Sequence, residues 1–210
     1  MNKLFKSLCV AAGLFGAMSV MADTAGNVEA GKAKTAVCAG CHGMDGNSAA
    51  PNFPKLAGQG AEYLVKQLKD IKGKEGEGSA RTVVEMTGLL DALTDQDIND
   101  IAAFYSSQKM SLGQANAELV KVGAPLYRAG NMANKVAACA ACHGPTGAGI
   151  ALAKYPALGG QHADYIAAQL HKFRKGERTN DGDTRIMRAI AAKMSDDEIK
   201  AVASYISGLH

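Results

Sequence analysis

Residues 38–43 read CAGCHG and residues 139–144 read CAACHG. Of the five cysteines in this 210-residue chain, four fall in these two Cys-x-x-Cys-His segments. The match extends outward from them. His42 and His143 are 101 residues apart, and PKLAGQGAEYLVKQL (54–68) matches PALGGQHADYIAAQL (156–170) at an offset of 102. Near the end of each half, LTDQDINDIAAFYSS (93–107) matches MSDDEIKAVASYISG (194–208), again at 101. The chain is therefore a tandem duplication with two one-residue insertions or deletions, and a period of this length makes each half a small domain.

Residues 1–22, MNKLFKSLCVAAGLFGAMSVMA, combine a basic start (Lys3, Lys6), an apolar run and small residues before position 23. That pattern predicts a secretory signal peptide, too short for a comfortable membrane span, and takes the fifth cysteine, Cys9, out of the fold. The duplication then predicts a first domain over 23–108, a linker over 109–118 and a second domain over 119–210. The linker lies within SSQKMSLGQANAEL (106–119), which has neither helical nor strand periodicity.

Each half reads as helical, so the fold class is all-α. The spacing predicts helices over about 31–41 and 134–142 carrying the two motifs, then middle helices over 62–71 and 164–173. The last helix of each half opens with a capping box, Thr94 with Asp97 and Ser195 with Glu198. Its apolar face is Ile98, Ile101, Ala102 and Tyr105 in one half and Ile199, Val202, Ala203 and Ile206 in the other, at i, i+3, i+4, i+7.

Three uses of the four cysteines are weaker readings. Cysteines three apart on a helix make poor structural staples, and a disulfide has no need of the histidine. A thioredoxin-like redox pair needs a strand–helix–strand setting, which is not visible. A zinc site built from pairs about 100 residues apart is unlike a finger or ribbon. Cys-x-x-Cys-His on a helix fits c-type haem. Thiols one turn apart, Cys38 with Cys41 and Cys139 with Cys142, can add to the two vinyl groups on one porphyrin edge, and His42 or His143 then faces the iron. Two covalent haem c groups also account for a composition with 5% aromatic residues and no tryptophan. A large flat apolar group completes each core.

The second axial ligand decides between carrying electrons and binding small molecules. Met86 and Met187 align with each other, each 44 residues after its histidine and eight before the capping residue. Met44 is too close to His42 to reach across the ring, Met110 has no counterpart and Met132 precedes its motif. Met194 aligns with Leu93 as an apolar residue before the last helix. His162 and His171 match Gly60 and Lys69, and so read as surface residues. The predicted iron ligands are His42, Met86, His143 and Met187.

On these residues both halves resemble the small cytochrome c fold, in which an N-terminal helix bearing Cys-x-x-Cys-His crosses a C-terminal helix over the haem. In that family a proline of a P-x-L-x-G segment offers its carbonyl to the proximal histidine. Pro54–Gly58 and Pro156–Gly160 match that segment, and Phe104 and Tyr205 match the aromatic at the helix crossing. With APNFPKLAGQ, LGGQH and TNDGDTRIMR also in place, the chain resembles the dihaem cytochrome c4 family over its whole length after the leader. The resemblance implies a periplasmic carrier of single electrons in a respiratory chain. It implies redox protein partners: a donor such as a quinol-oxidising complex, and a terminal haem-copper oxidase as acceptor, with loose peripheral membrane association. The alternative is a dihaem enzyme of the peroxidase or thiosulfate-oxidising type, which needs one iron open to substrate.

Charge adds a polarity. The net +3 of the full chain includes the two leader lysines; residues 23–110 carry a net −3 and residues 111–210 a net +4. Opposite ends of this sign can orient the molecule toward a charged partner. No dense basic run with interleaved aromatics suggests nucleic acid.

Overall fold

The two capping boxes open the last helix of each half. Thr94 Oγ1 accepts from the Asp97 N–H at 3.1 Å while Asp97 Oδ2 accepts from the Thr94 N–H at 2.7 Å. Ser195 and Glu198 repeat the exchange at 3.1 and 2.8 Å. In this computed structural model, which describes residues 26–73 and 80–210, both helices lie at the centre of their halves. The proposed leader falls outside the described residues.

The first half contains α1 (Val28–Lys34), α2 (Ala36–His42), α3 (Ala61–Lys72) and α4 (Asp95–Ser107). The second contains α5 (Ala117–Ala129), α6 (Ala140–His143), α7 (Ala163–Lys175), α8 (Ile186–Ala191) and α9 (Asp196–Ser207). Among the described residues there is no strand, and the only β-type pairings are isolated bridges, Asn131 with Val136 and Ile150 with Tyr155. The fold is all-α, as the periodicity predicts. The apolar faces read from the sequence are buried: Ile98, Ile101, Ala102 and Tyr105 in α4, and Ile199, Val202, Ala203 and Ile206 in α9.

In each half the N-terminal helix crosses the last one at a glycine. A Cβ on Gly31 would stand 1.9 Å from the Asp100 carbonyl oxygen, and one on Gly123 would stand 2.3 Å from that of Ala201. Only glycine permits backbones this close. The crossing in the first half is locked by Asp100, which is buried and accepts from the Asn27 N–H at 2.9 Å and from Lys34 Nζ at 2.8 Å. These bonds hold its carboxyl at a pKa of about 2. In the second half Ser204 Oγ takes the corresponding place, accepting from the Asn116 N–H at 3.0 Å.

This crossing corrects the sequence reading of the second half. The helix expected over 134–142 is a single turn, Ala140–His143, and the crossing helix is α5, further upstream. Gly31 stands seven residues before Cys38, whereas Gly123 stands sixteen before Cys139. The extra residues form the turn closed by the Asn131–Val136 bridge. In the first half the expected continuous helix is two, divided at Thr35, which α2 uses as its N-cap. The connecting segment between α4 and α5 has no regular structure but is pinned to both halves. Ser111 N–H donates to Asn47 Oδ1 at 2.7 Å, and Gly113 N–H donates to the Ser207 carbonyl at 3.1 Å.

The halves meet across a polar interface. Arg178, buried, reaches Tyr63 Oη and Gln67 Oε1, both at 3.1 Å, and Arg81 reaches Tyr165 Oη at 3.1 Å from the opposite side. Lys55 is also buried and donates through Nζ to the carbonyls of Ser111 and Gly160, at 2.5 and 2.9 Å.

Candidate haem sites

A short helix ending in histidine, followed by a sharp turn, builds each site. Gly43 and Gly144 stop α2 and α6 at φ of 80° and 79°, conformations that suit glycine. The carbonyl of Gly46 then accepts from the Leu56 N–H at 2.7 Å, and that of Gly147 accepts from the Leu158 N–H at 2.7 Å. These bonds draw the P-x-L-x-G segment beneath its histidine. His42 Nδ1 lies 2.9 Å from the Pro54 carbonyl oxygen, and His143 Nδ1 lies 3.0 Å from that of Pro156. The carbonyl can only accept, so Nδ1 carries the proton in both rings. Nε2 keeps its lone pair and makes no hydrogen bond to the described residues, as a metal-facing nitrogen requires.

Both histidines are buried, and burial holds their pKa below the ordinary imidazole value, with the proline carbonyls opposing. An aromatic ring flanks each: Phe53 at 6.3 Å between centroids for His42, and Tyr155 at 6.2 Å for His143. Sequence reasoning missed these partners, although Phe53 and Tyr155 each stand directly before the proline and match each other at the repeat offset of 102. Tyr127 was also missed; its hydroxyl donates to the Gly144 carbonyl at 2.6 Å and so ties α5 to the second motif.

None of the four motif cysteines is paired in a disulfide. Cys38 and Cys139 pack against the apolar cores of their halves. Burial pushes the Cys38 thiol up and the Cys139 thiol up to about 11, with Cys142 nearby adding to the latter. A redox-active Cys-x-x-Cys needs the opposite, a thiolate favoured near neutrality. Among the described residues no three His, Cys, Asp or Glu side chains converge as a metal-binding group, so the two cysteine pairs do not build a zinc centre. The donor set fits haem. In each half it offers two thiols one turn apart beside an apolar core and an imidazole with a free Nε2. Each core also contains one buried phenol hydroxyl without a hydrogen-bond partner, Tyr105 and Tyr205.

Met86 closes a short 3₁₀ turn, Val84–Met86, and Met187 is the second residue of α8; both are half-buried. The apolar neighbours Val84 and Leu89 of Met86 face outward. Met194 is buried in the core before α9, as its alignment with Leu93 predicts, whereas Met44 and Met132 are exposed. Phe104 and Tyr205 are buried in the last helices, Tyr205 against Tyr127 at 5.6 Å between centroids. His171 lies on the α7 surface beside Arg174. His162 departs from the surface reading. It is half-buried between the halves, with Nε2 2.9 Å from the Ser48 carbonyl oxygen and 3.0 Å from Ser48 Oγ.

A family model described as Cytochrome c matches the chain twice, over residues 28–109 and 125–210. Cytochrome c4 of Pseudomonas aeruginosa is 58% identical over the full length of both chains. A thiosulfate dehydrogenase electron acceptor of Stutzerimonas stutzeri is 39% identical over 82% of this chain and 78% of that protein. The crystal structure of reduced recombinant cytochrome c4 from Pseudomonas stutzeri superposes with a TM-score of 0.84 at 58% identity, covering 89% of this chain and all of that one. With its two matching histidine sites, the chain belongs to the cytochrome c family, as a dihaem cytochrome of the c4 type that transfers electrons with one covalently bound haem c in each half.

Proposed function

We propose that the protein shuttles single electrons in the periplasm, with both irons held by His and Met and closed to outside molecules. When bound, each haem supplies a one-electron iron couple. The chain does the rest. Cys38 with Cys41, and Cys139 with Cys142, would hold each haem through thioether links. Nε2 of His42 and of His143 would bind the irons, held in register by the proline carbonyls, and the sulfurs of Met86 and Met187 would be the second protein ligands. A thioether ligand raises the potential toward the range useful for an oxidase substrate, and burial raises it further by disfavouring the ferric charge.

The observation that carries this reading is the duplicated proximal site, the same Nδ1-to-proline bond at 2.9 and 3.0 Å. Two equivalent sites suit a two-centre carrier, whereas a dihaem enzyme requires one iron to differ. The leader supports export. No helix among the described residues is long and apolar enough to cross a membrane, which is compatible with loose peripheral attachment. A quinol-oxidising complex as donor and a terminal haem-copper oxidase as acceptor complete the proposed route, with the −3 and +4 halves orienting each encounter.

Carbon monoxide tests the reading. The fully reduced protein is expected to keep its optical spectrum under the gas at both haems. Rapid binding at half the haem would sink the carrier reading in favour of a peroxidase or thiosulfate-oxidising enzyme.

A further inference from the structure

The repeat contains a glutamine that the haem chemistry does not use: Gln59, directly after Pro54–Gly58, and Gln161, directly after Pro156–Gly160. Both are buried, at 4% and 3% exposure, and both reach into the opposite half. Gln161 Oε1 accepts from the Lys55 N–H at 2.9 Å and Gln161 Nε2 donates to the Lys55 carbonyl at 2.9 Å. Gln59 mirrors this on Ala157, accepting at 2.7 Å and donating at 3.0 Å. Each Oε1 also accepts from the N–H of the following residue, Gly60 or His162, at 3.0 Å. With two N–H groups converging on one end of each amide, only this orientation satisfies the site.

The peptide groups involved are those beneath the histidines. The Pro54–Lys55 peptide presents its carbonyl to His42 Nδ1 and its N–H to Gln161; the Pro156–Ala157 peptide presents its carbonyl to His143 Nδ1 and its N–H to Gln59. Hydrogen bonds through one peptide reinforce each other. An N–H that donates leaves its carbonyl a stronger acceptor, most of all in a low-dielectric interior. A stronger acceptor at Nδ1–H makes the imidazole a better donor at Nε2, and a better donor favours ferric over ferrous iron.

We propose that Gln59 and Gln161 are crossed positioning residues, each setting through one peptide the donor strength of the proximal histidine in the opposite half. Docking of the halves thereby becomes a determinant of both potentials. The inference rests on the reading of His42 and His143 as iron ligands.

The test is Gln161→Met, which keeps the volume and removes the acceptor, read by NMR of the ferrous holoprotein and by spectroelectrochemistry. The His42 Nδ1–H resonance is expected to move upfield and the potential of the first-half haem to rise, with His143 and its haem unchanged; Gln59→Met gives the mirror result. A glutamine that merely held the halves together would, when lost, admit water and lower the potential. A fall, a change confined to the second-half haem, or no change at all overturns the proposal. Amide exchange of the unaltered protein adds a check that needs no variant. The Lys55 and Ala157 N–H groups should be protected, and exchange at the rate of exposed amides contradicts the crossed bonds. Failure of the ligand reading is recognised separately. In that case the His42 and His143 ring protons of the unaltered ferrous protein lack the large upfield displacement of a ring seated on a porphyrin face.

Discussion

Met86→Ala lowers the potential of the first-half haem, opens its iron and leaves the second-half haem largely unaltered. Axial ligands move haem potentials over a range of about 0.8 V, so the loss of a thioether is expected to cost on the order of tenths of a volt. The fall follows because the soft sulfur stabilises ferrous iron and the water that replaces it does not. Met86 ends a 3₁₀ turn on the rim of its half and is only half-buried, so its truncation removes little core. Changed spectra would then report the iron and not unfolding. In the variant, ferrous protein binds carbon monoxide at half its haem, and Met187→Ala does the same for the other half. A Met86→Ala protein that retains both sulfur-to-iron charge-transfer signals at full strength would show that the ligand is another residue.

The double substitution Cys139→Ser with Cys142→Ser is expected to leave one haem per chain and an unstable second half. Mass spectrometry of the denatured protein reads the first effect directly: the mass corresponds to one covalent haem, and haem staining persists through Cys38 and Cys41. The second effect follows from magnitude. Truncating one large buried side chain costs about 3–5 kcal/mol. A porphyrin held by Cys139, which packs against the apolar core of its half, would be larger than any side chain, so its loss is expected to exceed the whole margin of about 5–15 kcal/mol typical of a domain. Loss of α7–α9 helicity by circular dichroism, with the first-half spectrum intact, is the expected outcome. A chain that kept two covalent haems would refute the assignment of these cysteines.

The sites were more legible in the sequence than the path of the chain between them. Cys-x-x-Cys-His is dictated by the cofactor, so its spacing alone finds it, whereas the role of P-x-L-x-G is implied by the resemblance to the small cytochrome c fold; the structure brings each His and Pro within 3.0 Å. The capping boxes were legible for the same reason, being local chemistry at i and i+3. The crossing helix α5 was not. Its segment AELVKVGAPLYRA holds Gly123 and Pro125, which read as breakers, yet the glycine is there because α9 passes against it and the proline is tolerated inside a helix fixed by packing. Extending the repeat offset upstream from the cysteines therefore placed the second helix on the inserted turn. The interface was illegible for a different reason. Gln59, Gln161 and His162 act across about 100 residues, and nothing local marks a side chain whose partner is in the other half.

In the proposed carrier each half closes its iron with a methionine sulfur as well as histidine. Near-infrared absorption of the fully oxidised protein, with the haem counted independently, measures it most directly. The expected result is the sulfur-to-iron charge-transfer band at one full complement per haem, and its loss in two one-electron steps on reduction. A band of half that intensity, or none, would contradict it.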